Sequence, residues 1–324
     1  MADYSKIIKE RFGPIPKESG LTRKMRVHQG WWRMNVLDEE PGPHPITTDQ
    51  KVCNVISQGK ETGRNFLTPN SFRAAKETVE NRTKENSGII EEVRLYNNLL
   101  SSQPLSFNFF GELFSDEIFG LAVLKTFYSD LTKLNRVRFE YSPEENYTND
   151  SSAFDIAFEV EAGDKKGLIG WECKYTDTFS FKPSKSDTFY GEEGNKNYAT
   201  YFDIYSRSKA KFIKPYEDYV KSKDFNQLFR NQLIAESILL NKKFDFVRTG
   251  LFYYQDDESA KAISNDFKSM LTEKDNFKAI TYKEYIENIQ RLDLTWDQRE
   301  WTMLLWARYC GLQLSRHTTT KLED

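Results

Sequence analysis

The stretch FDIAFEVEAGDKKGLIGWECKY, residues 154–175, decides how the chain is read. Two apolar, aromatic-rich runs, AFDIAFEVE (153–161) and KGLIGWECKY (166–175), are joined by AGDKK, so the spacing predicts a β-hairpin. Successive side chains of a strand point to opposite faces. Phe154, Ile156, Phe158 and Val160 therefore share one face of the first strand, and Asp155 projects from the other with Ala157 and Glu159. In the second strand Glu172 and Lys174 share a face, opposite Ile169, Trp171, Cys173 and Tyr175. A register that pairs Val160 with Gly167 sets Asp155 across from Glu172, which gathers two carboxylates and one ammonium on a single patch of sheet.

Working outward, a third strand, RVRFEY, spans at least 137–141 ahead of the hairpin. Before it a helix is expected at about 89–100 (IIEEVRLYNNLL), stopped by SSQP, and another at about 116–133 behind an N-cap at Ser115. After the hairpin, SFKPSKSDTFYGEEGNKN (180–197) reads as a flexible loop beside the motif strand. Helices follow at about 199–221 and 224–240 (DFNQLFRNQLIAESILL), then the aromatic strand FDFVRTGLFYYQ (244–255), then helices near 257–271, 282–290 and 296–310. This order predicts an α/β fold, a mixed β-sheet core flanked by helices, with helical additions at both ends. Three regions are expected: a basic and aromatic N-terminal arm (1–70), a core (71–255) and a C-terminal helical extension (256–324). Within the arm, 36–70 is rich in Gly, Pro, Thr and Asn without a sustained period and reads as loosely structured.

Composition narrows the chemistry. The chain has 324 residues, 38% hydrophobic and 15% aromatic, enough for a full-sized core. No apolar run is long enough to span a bilayer and the first residues lack a signal-peptide pattern, so a cytoplasmic protein without a membrane partner is expected. Cys53, Cys173 and Cys310 are too few and too scattered for a disulfide framework or a zinc site. His28, His44 and His317 are the whole imidazole supply, which points catalysis toward carboxylates and lysine. The net charge of −3 argues against indiscriminate coating of nucleic acid, yet basic clusters exist. Arg23, Lys24, Arg26 and Arg33 surround Trp31 and Trp32, while Arg207, Lys209, Lys211 and Lys214 interleave with Tyr205 and Phe212. The second cluster follows the motif strand and its loop, which makes it the candidate track for a polyanion; a solvated charged face is the bland alternative.

Two carboxylates at cross-strand distance can hold a hard cation such as Mg²⁺ and leave positions open for water and phosphate. A cation so held lowers the pKa of water and offsets charge developing on phosphorus, and a neighbouring lysine can orient the attacking water or stabilise the transition state. The triplet Glu-x-Lys occurs once in the chain, whereas Asp-x-Lys occurs three times, at Asp49, Asp164 and Asp266, never in an apolar strand behind a strand with its own lone Asp. Context therefore carries the weight. The competing reading is a cross-strand salt bridge of Lys174 with either acid on a solvated face.

FDIAFEV, a short hairpin and GWECKY together resemble the PD-(D/E)XK superfamily of restriction-endonuclease-like folds, with Phe154-Asp155 standing where the motif's name has Pro-Asp. The wider run, with NFLTP, the glutamate helix, SSQPLSFNFFG, QLFRNQLIA and a terminal Trp-rich helix, is similar to bacterial proteins of that kind. The resemblance implies a metal-dependent nuclease with Asp155, Glu172 and Lys174 at its centre, using Mg²⁺ with Mn²⁺ as a substitute. It also implies an acid from the helix before the sheet: projected at 100° per residue, Glu92 falls on the face of Ile89, Val93, Tyr96, Leu99 and Leu100, and Glu91 points away. Asp155, Glu172, Cys173 and Glu92 are thus the candidate metal ligands. Gln227 and Arg230 match a glutamine-bearing helix of some branches, Gln227 orienting the lysine and Arg230 reaching the nucleic acid. The implied substrate is double-stranded DNA, cut by an endonuclease in restriction or phage defence, with a homodimer or an ATPase or sensor protein as partner. Two alternatives stand beside this. A degenerate nuclease fold can bind nucleic acid or scaffold a complex without cutting, and Arg23 to His28 fits the loose R-x4-H pattern of HEPN ribonucleases.

Overall fold

A computed structural model describes residues 11–18, 20–82, 89–176, 197–221 and 225–320. In chain order its elements are helix α1 (Gly20–Asn35), strands β1 (Gly42–Pro43) and β2 (Lys51–Val52), and helices α2 (Gly59–Thr62), α3 (Pro69–Glu80), α4 (Glu92–Asn97), α5 (Ser102–Ser115) and α6 (Glu117–Lys125). Strands β3 (Lys133–Tyr141), β4 (Phe154–Ala162) and β5 (Lys165–Lys174) follow, then helices α7 (Tyr198–Arg207), α8 (Tyr216–Lys221) and α9 (Asn226–Leu240). The chain continues through β6 (Phe246–Tyr253), α10 (Glu258–Ser269), β7 (Phe277–Thr281), α11 (Tyr282–Gln290), α12 (Trp296–Leu305) and α13 (Gln313–Thr320). None of these helices is long and apolar enough to cross a membrane.

The chain divides into two compact units. One comprises Met1–Ala75, Ile90–Gly111 and Tyr282–Asp324, the other Lys76–Ile89 and Glu112–Thr281. The second unit holds a five-stranded sheet in the order β3-β4-β5-β6-β7. Its first two pairings are antiparallel and its last two parallel. The hairpin pairs Val160 with Gly167, as the sequence predicts, and its ladder runs to Ile156 opposite Trp171. Both faces of the sheet are covered. On one, the buried Trp171 ring meets Phe127, Tyr128, Phe158 and Phe252, and its indole N–H donates to the Tyr128 hydroxyl at 3.2 Å. Truncating so large a buried ring costs roughly 3–5 kcal/mol.

The other face is covered by α9, which is buried on most sides. Ile234, Ala235 and Ile238 pack on Ala157, Leu168 and Val247 of the sheet. Leu228, Phe229 and Leu233 belong to an aromatic cluster with Tyr201, Tyr205, Phe212, Tyr216, Tyr219 and Phe267, which also takes in Leu251 and Tyr253 of β6. Phe154 departs from strict alternation: it belongs to the α9-facing cluster, with its ring over Gly170, where a Cβ would come within 2.5 Å of that ring. A bare glycine at that point admits the ring.

Several sequence boundaries are corrected. The helix expected at 89–100 is only α4, because the chain around Asn97 and Asn98 is claimed by another segment. Ile56 N–H donates to Asn97 O at 3.0 Å, Leu99 N–H to Asn54 O at 2.9 Å, and the Asn97 side chain accepts from Gly59 N–H at 2.9 Å. SSQP does not merely stop a helix; it begins α5. The next helix is capped by Asp116, whose side chain accepts from Phe119 N–H at 2.9 Å, rather than by Ser115, and it ends at Lys125. The helix expected at 199–221 is broken before Pro215, whose missing N–H and fixed φ do not suit a helix interior. Strand β7 had no expected counterpart. The loop expected at 180–197 lies outside the described residues but for Asn197, which immediately precedes α7.

In the first unit the segment 36–70 is tied down by buried arginines rather than loosely structured. The Arg33 guanidinium donates to the main-chain oxygens of Cys53 (2.8 Å), Phe12 (2.9 Å) and Glu39. Arg308 donates to Asn65 O (2.7 Å) and Oδ1 (2.6 Å) and to Gln29 Oε1 (3.3 Å). These are charge-assisted bonds that satisfy carbonyls buried away from water.

Candidate active site

The hairpin and α9 build one polar patch in the second unit. Beyond the last ladder pair of β4 and β5 the strands part, and the Asp155 carboxylate takes the place of backbone pairing by accepting from Cys173 N–H at 2.6 Å. Glu172 is 3% exposed. Its Oε1 receives the Gln227 amide and lies 3.2 Å from the Lys174 ammonium, and its Oε2 accepts from Asn231 Nδ2 at 2.9 Å. Lys174 in turn donates to Gln227 Oε1, so Gln227 bridges the motif's glutamate and lysine. Gln227 and Asn231 stand one turn apart on the face of α9 that continues into Ile234, Ala235 and Ile238, so apolar packing of the helix aims both amides at Glu172.

A third acid stands in the row. Arg138 pairs with Ala157 and Phe139 with Ile156, so Glu140 of β3 falls directly opposite Asp155. Glu140 is buried and its φ is +49°, an αL conformation that is costly for a non-glycine residue. Its charge is felt at the patch. Desolvation raises the Asp155 carboxyl well above the usual carboxylate range, and the charges of Glu172 and Glu140 push it further, against the opposing pull of Cys173 N–H and Lys174. Unrelieved repulsion among buried carboxylates is what a hard cation would remove. Asp155 and Glu172 fit as its oxygen donors, although among the described residues no group of three or more His, Cys, Asp and Glu is arranged to hold a metal ion.

The other candidate residues are distributed as follows. Cys173 stands on the opposite side of β5 by alternation and its thiol is pushed up strongly by burial, so its part at the patch is played by its backbone. Glu92 belongs to the first unit, where it pairs with Lys60 at 2.6 Å on the exposed first turn of α4. The projection that favoured it does not hold, since Ile89 and Val93 are exposed while Leu95 and Tyr96 are buried. Arg230 lies beside Tyr201, whose phenol it influences electrostatically and which donates to Asp150. In the basic segment, Tyr205 and Phe212 are core residues, Lys211 pairs with Glu273, and Arg207 lies 3.4 Å from Asp203. Lys209 and Lys214 are exposed. His28 of the R-x4-H pattern is fully buried, with Nε2 2.9 Å from Ala307 O, which removes it from solvent-facing chemistry.

Sequence reasoning missed Asn231 and Glu140. The four-residue step from Gln227 to Asn231 was available as a signal; the position of Glu140 was not, because nothing in the sequence fixes the β3–β4 register.

No curated protein and no solved structure matches the chain. A family model of the PD-(D/E)XK nuclease superfamily matches residues 16–311. The mixed sheet with its flanking helices accords with the restriction-endonuclease-like fold of that family. With a match across nearly its whole length, the chain belongs to the PD-(D/E)XK nuclease superfamily.

Proposed function

We propose that the protein is a Mg²⁺-dependent nuclease that hydrolyses phosphodiester bonds, acting as a DNA endonuclease in restriction or phage defence, with double-stranded DNA as its substrate. Membership of the superfamily supports nuclease-type activity on a nucleic acid, in a family that generally uses divalent metal ions. The observation that carries the reading is the joint placement of Asp155, Glu172 and Lys174 on one patch, with Gln227 fixed between the last two. When bound, the cation would lower the pKa of water and offset charge on the phosphate. Asp155 and Glu172 would hold it, with water and main-chain oxygens beside them. Lys174, steered by Gln227, would orient the attacking water and stabilise charge developing on the phosphoryl oxygens. Asn231 keeps Glu172 in place.

A second reading draws on the absence, among the described residues, of a group of three metal-ligating side chains: a nuclease fold retained for binding or scaffolding. One gel series separates the two. Plasmid, linear duplex, single-stranded DNA and RNA are incubated with Mg²⁺ or Mn²⁺, using the wild type and the Asp155→Ala and Lys174→Ala variants, with thermal melts alongside. Nicked or linearised plasmid that is lost with EDTA and with both folded variants supports the proposal. Binding without cleavage in every metal favours the scaffold, and near-normal cleavage by either folded variant removes the assignment of these residues.

A further inference from the structure

In the sheet order β3 lies at an edge, and beside it is a cavity of about 450 Å³ in the second unit. Its lining includes Arg82, Arg136, Arg138, Phe114, Tyr141 and Glu140. Glu140 ties the cavity to the reacting groups, because it also stands opposite Asp155 in the β3–β4 register. The opposite flank of the patch is occupied by α9, whose amides hold Glu172. A chain bound in the cavity would therefore reach the carboxylate row from the β3 side.

We infer that this groove takes an unpaired stretch of polynucleotide next to the bond to be cut, which rests on the nuclease reading above and specifies the form of substrate it prefers. Three features fit that ligand. Arg136 is exposed and makes no ion pair among the described residues, and Arg82 is exposed beside the same space, so two guanidinium groups are placed for phosphates. Phe114 and Tyr141 are half-buried rings, and Arg138 lies over the Tyr141 ring at 5.6 Å while pairing with Glu159 at 2.5 Å. Aromatic faces beside guanidinium groups in a groove are the means by which single strands are held, bases stacking and phosphates neutralised. The size also fits: a pocket of this volume encloses a drug-sized ligand, hence a nucleotide or so of one strand, and not a paired helix. The groove also contains Glu77, Glu140 and Glu144, so binding depends on where the arginines stand and not on net charge.

The test uses the full chain, the double variant Arg82→Ala, Arg136→Ala and the charge reversal Arg136→Glu. All of these positions are exposed, so the variants should keep the wild-type melting temperature. Binding is titrated against salt in Ca²⁺ with a blunt duplex, a duplex ending in unpaired tails, and a single strand of equal length; cleavage is followed in Mg²⁺. The wild type should bind and cut the tailed duplex better than the blunt one. The double variant should lose that preference and flatten the salt slope by about 1.4, from about 0.7 for each lost single-strand phosphate contact. Equal binding of blunt and tailed duplexes by the wild type, or an unchanged slope in the variants, overturns the inference. If the wild type cuts but the variants bind and cut as it does, the groove alone is refuted. If nothing is cut in any metal while the variants still lose tailed-duplex binding, the nuclease reading fails and the groove stands.

Discussion

Replacing Glu236 by Gln should stabilise the protein in a way that depends on pH. Glu236 is 4% exposed on α9 and accepts from Gln232 Nε2 at 2.8 Å, and Gln232 in turn accepts from the Thr249 hydroxyl at 2.8 Å. Burial pushes its carboxyl up from 4.5 to about 7, only partly offset by the Gln232 bond and the Lys211 charge. The folded state thus prefers the protonated acid. Its contribution is fully present below the unfolded value of 4.5, is lost as pH rises toward about 7, and stays lost above. A shift of that size corresponds to about 3 kcal/mol in full, of which about 1 has accrued by pH 5. Glutamine keeps an oxygen for Gln232 and has no charge to bury. The gain in unfolding free energy of Glu236→Gln over the wild type should therefore grow by about 2 kcal/mol between pH 5 and pH 8. Urea titrations at the two values measure it, since the midpoint moves while the slope with denaturant is retained. A difference that is the same at both pH values, or a variant less stable at pH 8, would refute the argument from burial.

Three further outcomes are expected. Asn231→Ala removes a charge-assisted bond to the buried Glu172 and should cost about 1.5–3 kcal/mol in a denaturant melt, with a loss of cleavage on the order of 10–100-fold; wild-type cleavage would show that Glu172 needs no second amide. Glu140→Gln should change metal-dependent cleavage and metal affinity by calorimetry, whereas Glu92→Gln, which breaks only an exposed pair with Lys60, should leave both near wild type; the opposite order would return Glu92 to the site. His28, held neutral by burial with its pKa lowered to about 4, contributes stability that is complete above pH 6.5 and lost as pH falls toward about 4. Acid titration of unfolding free energy should show that loss and His28→Gln should flatten it, so an unaltered acid limb in the variant would exclude His28.

What could be read from the sequence was what depends on near neighbours along the chain. Asp155, Glu172 and Lys174 lie on two strands joined by a turn so short that the register follows from it as far as Ile156 opposite Trp171, and alternation sets Glu172 and Lys174 on one face. The face of Glu140 escaped the same logic. The β3–β4 connection runs from Ser142 to Ala153, and the ladder slips between Leu134 and Arg136, so residue counting cannot choose the partner of Asp155. Helix α4 misled for another reason. Its apolar spacing is helical, yet Asn97 and Asn98 bond to residues some forty positions away, and such tertiary partners override local propensity. In the basic segment Tyr205 and Phe212 look alike in sequence as stacking platforms or core, and only packing distinguishes them.

The first unit is assembled from three separate stretches, and this has a consequence for the order of synthesis. Every residue of the second unit has been made once the chain reaches Thr281, so its sheet can close while the rest is still being added. The first unit must wait. Asn65, Gln29 and Asn108 complete their hydrogen bonding only when Arg308, Tyr309 and Trp301 are added. Until those arrive, these groups lack part of the bonding they have in the folded unit, a state suited to chaperone capture. A nascent chain halted between α11 and α12 should therefore resist protease across β3–β7 while its first seventy-odd residues are still cut.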